Sequence, residues 1–293
     1  MPTTKVYSSL YCDAATLANF NAWGQFISNA FSSFGWTAGT DTGQVSWPVG
    51  SVPTSYGTFE IWKSADALSS TCPITVRIDY WNNAKPWVAI EIGTGGTNGT
   101  GTLLAPHSGT YSIGANSNTA TIYQTCYASG DTGSFRCLMF ATSTNQSSPY
   151  FSEPFGFGIN RSMSSAGVAT DDYVHFLGWM SHSASTSIQQ AVPNPSVGGT
   201  YAVEYNNINA PLPYTANLMA YGVIYVVPFF PIVGAPGNPS DDWLFTKLGY
   251  LADDTQVSVT MFGTPHTYVV LNNTAGNPQF VYGISTAILM RYE

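Results

Sequence analysis

The sequence predicts an all-β protein, an antiparallel β-sandwich or barrel-like variant, with one N-terminal α-helix. Three observations carry that reading. Strand-like runs follow one another at short spacing with turn chemistry between them, as in sheets stacked on sheets. A single segment, near the N-terminus, has the apolar spacing of a helix. Between residues 73 and 93, two runs that alternate with period two flank a five-residue loop, and the parity of that loop brings their apolar faces together.

In chain order, the helix comes first, over about residues 14–34 with Asp13 as its cap. Leu17, Phe20, Ala22, Trp23, Phe26, Ile27, Ala30, Phe31 and Phe34 form a broad apolar face, and Gly35 is suited to end it. The segment holds no Lys, Arg or Glu. An apolar stripe of this kind favours packing on the chain's own sheet. The other reading is a helix covered on both sides, partly by a neighbouring subunit.

Residues 37–55 are rich in turn residues. Residues 56–63 read as a strand with Phe59 and Ile61 on one face, and residues 64–72 as a loop. The hairpin follows, with runs 73–81 and 87–93 joined by residues 82–86. The odd loop length sets Tyr80 opposite Val88, Ile78 opposite Ile90 and Val76 opposite Ile92. On the other face Arg77 meets Glu91, a cross-strand pair, and Trp81 meets Trp87. A loop of even length would have set apolar against polar.

The glycine run GTGGTNGTG, residues 93–101, follows a strand, as a phosphate-binding loop would. Such a loop needs a helix N-terminus behind it. Pro106 and Gly109 deny it one, and the spacing fits neither a P-loop nor G-x-G-x-x-G. It reads as a turn. Further strands are expected over 110–113, 120–128, 134–141, 154–159, 173–180, 201–205, 218–227, 256–262, 266–271 and 280–291. SGDTG, residues 129–133, has hairpin-turn chemistry. Residues 181–200, rich in Ser, Gln, Pro and Gly, read as a flexible loop. A division near residues 145–153 would give a helix-plus-sheet domain over 1–150 and a second β region over 151–293, or the same sandwich continued.

Composition bounds the function. Charged residues are 8% of the 293, against about 25% in an ordinary chain. The 44% hydrophobic and 14% aromatic content still supplies a core, so the chain is not disordered by composition. Its polarity comes from Ser, Thr, Asn and Gly. A surface of neutral hydroxyls and amides suits packing against other proteins, and a secreted β protein is the competing reading. Eight basic residues cannot line a phosphate-tracking groove, so no nucleic-acid partner is expected. No run of eighteen apolar residues exists, and none is expected to span a membrane. The start, MPTTKVYSSLYC, lacks the apolar stretch of a secretory signal, which suggests a complete product made in the cytoplasm.

No constellation of catalytic, metal-ligating or cofactor-binding residues emerges. Cys12, Cys72, Cys126 and Cys137 lack metal spacing. A disulfide between Cys126 and Cys137, on the two arms of one hairpin, is geometrically open, but cytoplasmic synthesis favours free, half-buried thiols. His175 and His182 are seven apart, on opposite faces of a strand, and His107 and His266 lie far from both. The doublets Asp171-Asp172, Asp241-Asp242 and Asp253-Asp254 suit turns and strand ends better than a carboxylate pair for glycoside hydrolysis. No G-x-S-x-G is present. Trp and Tyr side chains could stack on sugar rings, although core and cross-strand packing is their default.

The block IWKSADALSSTCPITVRIDYWN, the run WVAIEIGTGGTNGTGTLL, SFRCLMF and FGFGINRSMSSAGVATDDYV together resemble uncharacterised virion structural proteins of tailed bacteriophages. The recurring elements are an aspartate-bearing strand (Ile78, Asp79, Tyr80), a G-T-G-x-x-x-G loop from Gly93 to Gly99, and an x-I-x-R-S-x-x-x-x-G segment over 159–167. The resemblance covers roughly residues 1–175 and implies a particle component of tail, neck, baseplate or capsid surface, with no reaction attached. The expectation is therefore a virion subunit, made in the host cytoplasm and working by assembly rather than catalysis. It would form a ring or anchor a fibre, with copies of itself and other virion proteins as partners. A capsid decoration protein and a host-glycan-binding β module are the alternatives. An esterase or glycosidase acting on such glycans is a third class. The expected subunit-interface residues are Pro228, Phe229, Phe230 and Pro231 in a proline-flanked loop, and Ile188 and Val192 in the 181–200 segment.

Overall fold

The computed structural model describes residues 4–11, 16–82, 86–114, 122–143, 155–164, 168–180, 186–197, 202–207, 227–228, 243–246, 256–261, 264–272 and 287–292. The chain opens with β1 (Thr4–Tyr11), the helix α1 (Leu17–Ser33), β2 (Thr37–Ala38) and β3 (Phe59–Lys63). A short 3-10 turn (Ala67–Ser70) leads to β4 (Thr75–Asn82), β5 (Pro86–Gly93) and β6 (Tyr111–Gly114). Then come β7 (Ile122–Asp131), β8 (Ser134–Ser143), β9 (Phe155–Met163), β10 (Ala169–Met180), β11 (Thr186–Pro193) and β12 (Ala202–Asn207). The last five are β13 (Val227–Pro228), β14 (Trp243–Thr246), β15 (Gln256–Met261), β16 (Thr264–Asn272) and β17 (Ala287–Arg291).

The fold is all-β, as expected: among the described residues there are three antiparallel sheets and a single α-helix. A seven-stranded sheet runs β1-β7-β8-β9-β10-β11-β12, a five-stranded sheet β2-β3-β4-β5-β6, and a second five-stranded sheet β13-β14-β17-β16-β15. The first two share one core. Ile74, Val76, Ile78, Tyr80, Val88, Ile90 and Ile92 face Cys126, Ala128, Phe135, Cys137, Phe157, Ile159, Val174, Phe176 and Val192. This is the face-to-face packing of a sandwich. The pairing of β8 with β9 carries the seven-stranded sheet across residue 150, so the proposed division passes through a continuous sheet.

The helix lays its apolar face on the inner faces of both sheets. Phe31 stacks on Phe135 at 3.7 Å and on Trp62 at 5.4 Å, and Trp23 meets Tyr80 edge-on at 5.9 Å. Its cap is Thr16, whose hydroxyl accepts from the Asn19 amide, and not Asp13, which lies outside the described residues. The first turn therefore starts later than the capping residues alone suggest. Gly35, at φ +84°, ends the helix in the left-handed conformation expected of it. Ala18, Asn29, Ser32 and Ser33 are exposed, so the chain's own sheets cover one face of the helix only. The third sheet meets the opposite face of the seven-stranded sheet. Tyr292 packs edge-on against Tyr127 at 5.2 Å, and Ser129 donates to the Arg291 carbonyl at 2.6 Å.

The hairpin register is the one parity predicts: Tyr80 with Val88, Ile78 with Ile90, Val76 with Ile92, Trp81 with Trp87. The SGDTG turn is also as expected, with Asp131 opposite Ser134 and the Asp131 carboxylate accepting from the Gly133 amide and the Ser134 hydroxyl. Three expectations need correction. Residues 186–193, read as part of a loop, form β11 between β10 and β12, because Val192 fits opposite Val174 in the core. β1, β2 and β14 fall where no strand is expected, β2 at the start of the turn-rich residues 37–55. Cys72, Cys126 and Cys137 are free but fully buried rather than half-buried. Of the strand expected over 218–227, only Val227 falls among the described residues.

Candidate functional site

The two faces of the β2–β6 sheet differ. Its inner face is core. Its outer face carries Phe59 and Ile61 from β3, Arg77, Asp79 and Trp81 from β4, and Trp87, Ala89 and Glu91 from β5, by strict alternation. The glycine run folds back over one half of this face. Leu103, just after it, closes a small cluster with Phe59 and Ile61. Gly101, at φ +90°, comes so close to the Phe59 ring that a β-carbon there would lie 2.3 Å from it. The run is held by Asn98, whose side-chain oxygen accepts from the amides of Thr100 and Thr102, and by Asp41, which accepts from the Gly101 amide. This is turn chemistry, as the sequence indicates.

Arg77 stands at the border of the covered half. It donates through Nε and Nη2 to both oxygens of Asp79 at 2.7 and 2.9 Å, and through Nη1 to the Gly101 carbonyl. Its guanidinium lies over Phe59 at 4.4 Å and near the Tyr56 ring at 5.6 Å. The bonds to Asp79 hold the Arg77 pKa above its ordinary value. Glu91, opposite Arg77 in register, pairs with His107 at 2.6 Å instead. The expected Arg77–Glu91 cross-strand pairing is present in the register, while the hydrogen bonds of each go elsewhere, because the fork of Arg77 matches the Asp79 carboxylate two residues along the same face. Burial raises the Glu91 pKa, with His107 and Arg77 pulling it back down.

The other half of the face is open and aromatic. Trp81 and Trp87, cross-strand partners, lie nearly parallel at 6.0 Å and 8°. Tyr56 meets Trp81 edge-on at 5.8 Å and is 48% exposed. Burial is the main cause of the raised Tyr56 pKa, and the Asp79 charge adds to it. The chemistry on offer here is stacking on flat rings beside the hydrogen-bonding groups of Glu91, His107 and the exposed Ser112. Among the described residues, no three His, Cys, Asp or Glu side chains gather as a metal site, and no helix is long and apolar enough to cross a membrane.

Of the expected interface residues, Ile188, Val192 and Pro228 are among those described. Val192 is fully buried in the chain's own core, which corrects its assignment to a subunit interface. Ile188 sits in β11 opposite Gly178 and Tyr205, in the seven-stranded sheet, whereas Pro228 lies in β13 of the third sheet opposite Leu244. Phe229, Phe230 and Pro231 lie outside the described residues, as do His182, Asp241, Asp242, Asp253 and Asp254. Asp171 and Asp172 fall in β10. The Glu91–His107 pair escapes sequence reasoning because it depends on a bridge between Gly93 and His107 at the far side of an irregular loop. The Trp81–Trp87 pairing was available from loop parity, and Tyr56 was not.

Comparison of the chain with known protein families, curated proteins and solved structures finds no match.

Proposed function

We propose that this chain is a structural subunit of a tailed-bacteriophage virion, assembling with its own copies and other virion proteins as a tail, neck or baseplate ring or as a fibre anchor. The observation that carries the reading is where the charges sit. Among the described residues with placed side chains, Asp172 is the one charged residue in the exposed class. Asp41, Glu60, Asp79, Arg136 and Arg161 are buried, and Lys63, Asp66, Arg77, Glu91, Asp131, Asp171 and Arg291 are partly so. Among those residues the exterior is left to Ser, Thr, Asn, Gly and isolated apolar residues. Isolated soluble proteins ordinarily keep both signs of charge on the surface. A neutral exterior is cheap to desolvate and suits contact with other subunits over most of its area. The resemblance to phage virion proteins points the same way.

The test is direct. Intact phage particles from cells making this chain are imaged by electron cryomicroscopy, and the purified chain is sedimented over a range of concentrations. The chain should occupy a symmetric position in multiple copies and self-associate as concentration rises. Absence from the particle, together with a monomer at every concentration, overturns the proposal.

A further inference from the structure

The open half of the β2–β6 sheet carries more than assembly requires. We infer that Tyr56, Trp81 and Trp87, with Glu91, His107 and Ser112 beside them, form a binding site for a neutral saccharide. The rings are fixed in place: the two indoles by cross-strand pairing at 6.0 Å, and the phenol by its edge contact with Trp81 at 5.8 Å. A sugar ring has an apolar face, which stacks on such a ledge, and a rim of hydroxyls, which need donors and acceptors at its edge. Glu91 and His107 are 15% and 38% exposed and bonded to each other through His107 Nδ1, so they hold hydrogen-bonding atoms in fixed positions.

Charge decides between ligand classes. Nucleic-acid bases also stack on aromatic rings, but their phosphates need unpaired cations. Among the described residues the cation at this site is Arg77, which has both branches of its fork on Asp79 and its third donor on the Gly101 carbonyl. Arg77 and Asp79 cancel each other, and Glu91 adds negative charge in a chain whose formal net charge is −8. An anionic ligand is repelled and a neutral polyol is not. An aliphatic peptide would find rings and carboxylates where it needs aliphatic pockets. The inference stands whether or not the chain is a virion subunit, since the test below reads ligand binding and not assembly.

Tryptophan fluorescence and titration calorimetry of the full chain should be run with maltohexaose, cellohexaose, mannohexaose and N-acetylchitohexaose, with decathymidylate as the anionic comparison. At least one neutral oligosaccharide should bind saturably, and Tyr56→Ala and Trp87→Ala should each weaken it about tenfold. Val168→Ala, at an exposed valine between β9 and β10 of the seven-stranded sheet, should leave binding unchanged. Tyr56 is half exposed, so Tyr56→Ala tests the site even where Trp87→Ala fails to fold. Three outcomes overturn the inference: no saturable binding of any of the four sugars, binding that Tyr56→Ala leaves intact, or preference for decathymidylate.

Discussion

Glu60 is the residue on which helix, loop and sheet converge. Its carboxylate is buried and accepts four side-chain hydrogen bonds. Ser28 of α1 and Trp47 donate to Oε1 at 2.8 and 2.9 Å, and Tyr80 and Trp62 donate to Oε2 at 2.8 and 3.3 Å. Burial raises its pKa above 4.5 and outweighs the four donors, which lower it. Glu60→Gln keeps the shape but turns an amide NH2 toward an indole N–H or a hydroxyl that already donates. It should cost about 1–3 kcal/mol in urea unfolding. The pH dependence has a definite sign. A carboxyl whose pKa is raised on folding binds more protons folded than unfolded, so its contribution is complete below 4.5 and declines as pH rises through the folded value. The stability gap between the natural chain and Glu60→Gln should therefore widen as pH falls from about 7 towards 4.5. A gap that narrows over that range would show that the donors, and not burial, dominate.

Among the elements, α1 shows how a local rule is reversed by packing. Gly24 sits inside the helix, where Gly→Ala normally stabilises by about 0.5–1 kcal/mol. Here a β-carbon at Gly24 would fall 2.0 Å from the Trp47 ring. Trp47 cannot retreat without giving up its bond to Glu60 and its edge contact with Tyr80 at 5.2 Å. Gly24→Ala should accordingly lower the thermal midpoint and shift tryptophan emission; a raised midpoint with unchanged emission would mean the ring moves freely. The elements also differ in how far the sequence reveals them. The β4–β5 register was legible because parity is an arithmetic constraint that a half-buried hairpin must obey. β11 was not, because TSIQQAVP hides a core-facing Val192 among Gln, Ser and Pro that resemble a loop, and even Gln190 is 3% exposed. Its place is set by pairing with β10 and β12 on either side, a context its own composition does not reveal. The candidate site divides in the same way. Trp81 and Trp87 follow from the hairpin, whereas Tyr56 and His107 reach it through loops whose course is tertiary.

At the scale of the whole molecule, the question is whether the first 150 residues can stand alone. Several ties cross that point. Arg161 of β9 donates to both oxygens of Asp66 at 2.6 and 2.7 Å and to the Cys72 carbonyl at 2.9 Å. Thr94 donates to the Pro193 carbonyl at 2.7 Å, and Asn194 to the Thr71 carbonyl at 3.2 Å. The core takes Phe157, Ile159, Val174, Phe176 and Val192 from the later half. Cutting at residue 150 would strip those side chains from over Phe135 and Cys137 and leave β8 as an unpaired edge. Losing even one such side chain costs about 2–5 kcal/mol, and a domain is stable by only about 5–15 kcal/mol. A 1–150 fragment is therefore not expected to fold cooperatively. The buried thiols give the readout. Burial pushes the Cys137 pKa far above that of a free thiol, and Cys72 is raised in the same way. In the full chain Cys72, Cys126 and Cys137 should resist a thiol reagent such as DTNB and become reactive together in one urea transition, because they share one core. In the fragment all three should react without denaturant. A fragment that protects them would place the folding unit within residues 1–150, and the strands from β9 to β12 would then be an addition to a finished domain.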